Sequence, residues 1–426
     1  NKKNKYKMVT QKVNKFKNKK NKYKMVTQKV NKFKKKNNQK IKINNNFYNN
    51  LPFKDSYQKN IEFKIKKNFS EYKNKIINLD VISSYKNTFK KHMHDKNYSI
   101  KEHIYKFPLA LYIIKNNKVS ISKKYNEIIQ KKDNRLQVML SLFQKTINWA
   151  LENNLKVPDT KVFFWINDSM PYLSNELNNF PIWVFSKPIN TKYILCPNDG
   201  FECFQLDKKY EGKCYDWDTL KKIISNKCVK KINKRYNNIY FKGANTTNYN
   251  NNIRINFFKL QSDKNNKLPL KIKLDAFQNY EPFYNVCKFK YLLNLPGRVP
   301  WSNRLQNSLL TKSIIINIDL ENFSKKNNWY DEKYITFINY IISNNDIINI
   351  KYIFDYDKGK DSIENKIEFN NVIKKLNNVY KYIQKNEKKF IDITENTYEK
   401  INKLTNERIY QTIYLMFCYQ SQFSFN

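Results

Sequence analysis

NVCKFKYLLNLPGRVPWSNRLQNSLLTKS, residues 285–313, is the stretch on which the reading of the fold turns. It opens as an apolar strand through Tyr291, Leu292, Leu293 and Leu295 and breaks sharply at Pro296-Gly297. A polar turn through Trp301, Ser302 and Asn303 then runs into a helix opening near Arg304. Strand, tight loop and helix start together present backbone N–H groups and a hydroxyl to an anion, with the positive end of the helix dipole behind them. The chain has 5 Gly, and its 81 basic residues divide into 75 Lys and 6 Arg. One of those Gly and two of those Arg, Arg298 and Arg304, fall in this loop. A sequence that otherwise writes Lys for positive charge places guanidinium groups here, where their planar fork suits a diphosphate.

Working outward, 426 residues suffice for two or three domains with their own cores, and 40% apolar content with 15% aromatic supports globular folding. The excess of Asn, Lys, Ile, Tyr and Phe reads as AT-rich coding bias, so bulk composition carries little functional information. The net charge of +45 is unevenly spread: residues 1–50 hold 18 Lys and no acid, and subtracting those 18 leaves +27 for the other 376 residues. That tail is an identical tandem repeat, NKKNKYKMVTQKVNKFK at 1–17 and again at 18–34. A 17-residue period fits no common solenoid unit, and Lys at this density repels itself, so a disordered tail is expected. It reads as a solvated extension or as a weak contact for nucleic acid or an anionic surface. The chain begins with Asn rather than Met, so its start is expected to lie upstream, and taken as it stands it reads as cytoplasmic.

No run of about 18 apolar residues occurs, so no transmembrane segment is expected. Six Cys are too few for a disulfide scaffold at this length, and the four between Cys196 and Cys228 lack paired zinc-type spacing; a local disulfide and plain buried thiols both remain open. The three histidines, His92, His94 and His103, precede the main motifs and read as surface or core residues. Asp216-Trp217-Asp218 reads as a pair of surface or helix-cap carboxylates rather than a metal site, and no metal is expected.

Along the chain, residues 51–103 read as helical pieces of a poorly defined N-terminal region. Two strands of a hairpin follow around Asn116-Asn117, then a helix over 135–154 with a polar stop at Asn153-Asn154. KVFFWIN at 161–167 is a buried-type strand followed at once by Asp168, a carboxylate placed either for chemistry at a strand end or as a turn cap. PIWVF at 181–185 and the strand at 193–196 also end in polar loops. Strand then polar loop, three times within about 40 residues, is the rhythm of a doubly wound α/β domain. YFKGANTT at 240–247, with Arg254 after it, again combines rare Gly, rare Arg and hydroxyls. Residues 356–426 read as C-terminal helices packing back on the core.

The order of WINDSMP, PIWVFSK, YFKGANTT with its Arg, CKFKYLLNLPG with WSNRL, and a closing WYDE and YI resembles glycosyltransferase family 90 over roughly residues 104–415. This is the capsule-associated-protein and protein O-glucosyltransferase (Rumi-like) group. The resemblance implies a GT-B-like pair of Rossmann-type domains facing a cleft. The half at 231–355 would hold a UDP-sugar and the half at 104–230 would admit the acceptor, a protein or glycan. It implies inverting transfer of glucose or xylose, with the UDP-sugar as co-substrate and no cofactor, in relatives that work in the secretory lumen or at bacterial membranes. Residue by residue, Asp168 resembles the catalytic base, in a loop one residue shorter. Phe185, Ser186 and Lys187 resemble the donor-contacting Phe-Ser-Lys. Gly243 resembles the phosphate-loop Gly, with Lys242 in place of the usual Arg and Ala244 where some members have Ser. Arg254 resembles the next donor-binding Arg after a longer Asn-rich loop, and Ser302, Asn303 and Arg304 resemble the Ser-x-Arg at the helix start. Cys287 resembles a family Cys whose disulfide partner, near Lys312 here, is missing, so that bridge is not expected.

The competing expectation is a basic nucleic-acid- or surface-binding protein on a degenerate, inactive transferase fold. Deleting residues 1–50 separates the two: binding carried by the Lys tail should vanish, whereas sugar transfer should survive. Backbone amides of the tail should exchange at the rate of an unfolded chain, and strong protection throughout it would contradict the reading.

Overall fold

The computed structural model describes residues 55–72, 109–122, 134–166, 180–204, 214–244, 252–275, 282–297, 304–324, 329–331, 334–355, 357–359 and 361–423. The repeat tail, the three histidines, Asp168, Arg298, Ser302 and Asn303 lie outside the described residues.

The first half begins with helix α1 (Ser56–Ser70) and a hairpin of β1 (Leu109–Lys115) and β2 (Lys118–Ile121). Asn116 and Asn117 both take left-handed backbone, φ 50° and 62°, as a two-residue turn matched to strand twist requires. Helix α2 (Asn134–Glu152) stops where Asn154 turns left-handed at φ 58° and the Leu155 amide closes back on the Ala150 carbonyl. Then come β3 (Thr160–Trp165), β4 (Ile182–Val184), β5 (Ser186–Pro188) and β6 (Ile194–Leu195). The sheet order is β2-β1-β3-β4-β6, antiparallel at β1 and parallel from β3 to β6. Val162, Phe163, Phe164 and Trp165 of β3 are all buried, as a strand covered on both faces should be.

The second half starts with helix α3 (Trp217–Lys227) and continues through β7 (Tyr236–Ala244), α4 (Ile253–Leu260), β8 (Leu270–Asp275) and β9 (Phe289–Asn294). Helix α5 (Arg304–Ser308), β10 (Ile314–Ser324), β11 (Trp329–Asp331), β12 (Tyr334–Thr336) and β13 (Ile348–Asp355) complete it. Strands β8-β7-β9-β10-β13 run parallel in that order, with β11 antiparallel on β10. Counted from β7, the order is 2-1-3-4-5, so the direction of winding reverses between β7 and β9. One face packs Ile239, Phe241, Leu293, Ile316 and Tyr352 against Phe257 of α4 and against Val372, Leu376 and Ile383 of α6 (Ile363–Lys385). On the other face Asn294, Asn317 and Asn349, in register on β9, β10 and β13, join amide to amide at 2.7 and 2.9 Å. A slip of one residue would drive these amides into the aliphatic face, so the ladder helps to pin the register.

The C-terminal helices divide between the halves. Helix α6 covers the second sheet, and α7 (Glu387–Asn402) follows it. Helix α8 (Asn406–Gln420) returns to the first: Phe417 stacks on Trp183 at 5.9 Å and meets Phe143 edge-on at 5.4 Å. The Trp183 indole donates to Gln420 Oε1 at 2.9 Å. A second bridge is the ribbon of β5 and β12, which pairs Ser186 with Thr336 and Lys187 with Ile335. Ser56–Asn426 accordingly form one compact unit. Among the described residues no helix is long and apolar enough to cross a membrane.

Cys203 joins Cys214, the local bridge that the sequence left open, and Cys287 joins Cys228 at the end of α3, a pairing the sequence did not indicate, while Cys196 and Cys418 are free. Position 312, near which the family partner of Cys287 would fall, is a Lys whose ammonium lies over the Tyr398 ring at 4.4 Å.

Phe417 is fully buried, so Phe417→Ala should lower the unfolding free energy by about 3–5 kcal/mol in denaturant titration. A loss under about 1 kcal/mol would mean that α8 is not the cover of the first sheet.

Candidate functional site

The winding reversal sets Gly243-Ala244, ending β7, beside Leu295-Pro296-Gly297, which follows β9. A crevice at adjacent carboxyl ends of parallel strands is the usual ligand position in an open α/β sheet. Arg254, in the first turn of α4 and buried, fastens the two ends together. Its Nε donates to Pro296 O at 2.8 Å, Nη1 to Ala244 O at 2.7 Å and Nη2 to Leu295 O at 3.4 Å. All three acceptors are neutral carbonyls, and among the described residues Arg254 makes no ion pair with a carboxylate.

Arg304 brings a second guanidinium to the same place. Its Cζ lies 4.8 Å from the centroid of the Phe241 ring, and that of Arg254 lies 5.3 Å from it, both within cation–π range. Gly243 is the reason Arg304 fits. A Cβ at Gly243 would sit 2.6 Å from Arg304 Nη2 and 2.8 Å from Phe241 Cζ. The glycine serves close approach here rather than unusual backbone. Burial first, and then the charge of Arg304, lower the Arg254 pKa to about 9, so Arg254 remains cationic at neutral pH. Two guanidinium groups gathered at strand ends over one aromatic ring have the fork geometry that suits a dianion such as a diphosphate.

The helix opening at Arg304 contributes less than its sequence suggested. It has five residues, Arg304–Ser308, before tightening into a 3-10 turn, so few aligned peptide dipoles stand behind the loop and the guanidinium groups supply the charge. Ser302 and Asn303, expected to flank Arg304, lie outside the described residues.

Phe185, Ser186 and Lys187 are buried in the first half. Phe185 packs edge-on against Phe164 at 4.9 Å. The Lys187 ammonium donates to Thr191 O at 2.8 Å and Tyr193 O at 2.7 Å, plugging the turn after β5. Burial lowers its pKa to about 8. Asp168 lies outside the described residues, two positions beyond Ile166. Asp216 accepts from the Thr219 amide at 2.9 Å as the cap of α3, and Asp218 accepts from the Asn406 amide at 2.9 Å and pairs with Lys221. Both carboxylates thus serve as helix-end groups. Among the described residues no cluster of three His, Cys, Asp or Glu side chains could hold a metal.

Four residues beside the site were not singled out by the sequence reading. Asn198 and Gln306 exchange amide hydrogen bonds at 2.8 and 3.3 Å, and both are buried. Arg135 donates to Ile166 O at 3.4 Å and pairs with Asp199 at 3.4 Å. The scarcity of Arg that drew attention to Arg254 and Arg304 applies equally to Arg135; nothing in the sequence marks Asn198 or Gln306 among so many amides.

Gly243→Ala should displace Arg304 and weaken pyrophosphate binding in calorimetry about ten- to a hundredfold, the worth of one charge-assisted hydrogen bond, with the fold retained. Unchanged affinity would detach Arg304 from the site. The role of Lys187 is tested by pH. Between about 8 and 10.5 the unfolded chain holds a proton that folded Lys187 has lost, so stability should rise across this window. Lys187→Met should remove that part of the slope, and an unaltered slope would show that Lys187 is not the buried plug described.

No protein-family model matches this chain, and no curated protein matches it, so the chemistry of the site is read from its own geometry.

Proposed function

We propose that the protein is a UDP-sugar-dependent glycosyltransferase that transfers a sugar to an acceptor hydroxyl with inversion. The observation that carries the reading is the pair of guanidinium groups, Arg254 and Arg304, sharing the Phe241 ring beside Gly243 at the winding reversal. Such a pair suits a leaving diphosphate, whose charge grows as the bond from phosphate oxygen to the anomeric carbon breaks. The order of motifs resembling glycosyltransferase family 90 adds the nucleotide, uridine, and the sugar class, glucose or xylose.

In this reading the two sheets act as the facing halves of a GT-B-like enzyme. The second sheet takes the UDP-sugar and the first admits a protein or glycan acceptor. The acceptor oxygen bonds to the anomeric carbon from the side opposite the leaving group, UDP departs, and Asp168 takes the acceptor proton as general base. Arg254 has a positioning role, holding the two strand-end loops at fixed separation, and Arg304 faces the phosphates. The peptide groups of the loops add N–H donors without further charge.

UDP release measured over a panel of nucleotide sugars tests the reaction class. Arg304→Ala should weaken UDP binding about ten- to a hundredfold, and unchanged UDP affinity in calorimetry would remove the central claim. Asp168→Asn should bind UDP normally yet slow transfer by a factor of about 10² to 10⁴. Near wild-type transfer by that variant would make Asp168 a turn cap and send the search for the base elsewhere.

A further inference from the structure

We infer that the reciprocal amide pair Asn198–Gln306 is a positioning device: it holds Arg304 in the anion site and couples that site to the end of β3 in the other half. The inference rests on the UDP-binding reading of the same site and extends it from binding to communication between the halves.

Helix α5 has five residues, too few to be stable alone, so the place of Arg304 above Gly243 must be fixed by tertiary contacts. Gln306, two residues on, supplies one from the first half: Asn198 Nδ2 donates to Gln306 Oε1 at 2.8 Å, and Gln306 Nε2 donates back to Asn198 Oδ1 at 3.3 Å. Asn198 is 1% exposed and Gln306 3%, so parting them would take their shared partner from three buried polar atoms, Asn198 Nδ2 and both amide atoms of Gln306. The pair is therefore closer to made or broken than to gradually loosened.

The contact continues on the far side. Asn198 Oδ1 also accepts from the Gly200 amide at 2.9 Å, and the Asn198 and Asp199 carbonyls take the amides of Phe201, Glu202 and Cys203. Within that turn Asp199 pairs with Arg135, which donates to the carbonyl of Ile166 just past β3. A continuous set of polar contacts thus runs from Gln306, two residues after Arg304 in the same short helix, through the turn at Asn198, to the end of β3. Whatever orders Arg304 also orders Gln306. By linkage, an anion bound at Arg304 stabilises the turn, and a well-formed turn improves anion binding.

The test uses the full chain and UDP. In the wild type, UDP should slow amide exchange about fivefold or more at Phe201–Cys203 as well as at the end of β7. Gln306→Leu, similar in volume but without an amide, should lose the effect at Phe201–Cys203 and bind UDP about fivefold more weakly. If Gln306→Leu fails to fold, Asn198→Ser serves instead, since its hydroxyl can still cap the Gly200 amide but is too short to reach Gln306. Wild-type UDP binding without any change at Phe201–Cys203 would overturn the coupling alone, as would transmission that survives loss of the amide pair. Failure of the wild type to bind UDP at all would bring down the reading of the site and the coupling together.

Discussion

Two positive charges held side by side, one of them with no neutralising carboxylate among the described residues, are the constraint around which the second half is arranged. Their repulsion is met by a shared aromatic face, by three backbone carbonyls and by the winding of the sheet. Cation–π contact offsets about 0.5 to 2 kcal/mol for each guanidinium, and the carbonyls solvate the buried one. None of this would fit if position 243 carried a side chain, or if β7 and β9 were not neighbours. The winding reversal brings the loops together; Gly243 leaves the space; Arg254 fixes the span.

The two kinds of cation are put to different use. Lys187 carries its charge on a compact ammonium that a pair of turn carbonyls can absorb, and it fills a gap inside the first half. Arg254 spreads its charge over a plane with donors in several directions, so it can hold three carbonyls from two segments at once. In a chain with 81 basic residues, only a handful of positions exploit that difference.

Local structure was largely legible. Asn116-Asn117 marked a turn because Asn tolerates the left-handed backbone that a two-residue hairpin needs, and LLNLPG marked a strand with a hard stop. Gly243, Arg254 and Arg304 stood out by scarcity, and the fold brings them together. What stayed hidden depends on contacts distant in sequence. The partner of Cys287 lies 59 residues away, and cysteine spacing does not determine connectivity. The pairing of β5 with β12 links three-residue strands too short to show any periodicity. That Arg254 would spend its donors on carbonyls, rather than present them all to a ligand, is set by where the Leu295–Pro296 backbone comes to rest, which no local pattern encodes.

Helix α8 gives the fold an unusual order of completion. Phe143 and Trp183 belong to the first half, yet the ring that covers them, Phe417, is made about two hundred residues later. At about 5 to 20 residues per second, synthesis of the intervening two hundred or so residues takes roughly 10 to 40 seconds. During that interval the first sheet and α2 lack the cover that α8 supplies, whereas the second sheet and the helix packed on it are contiguous in the chain and can close first. On the ribosome, the half made earlier is the half finished later, and the aromatic face that α8 covers stays open to chaperones, or to other nascent chains, until that helix emerges.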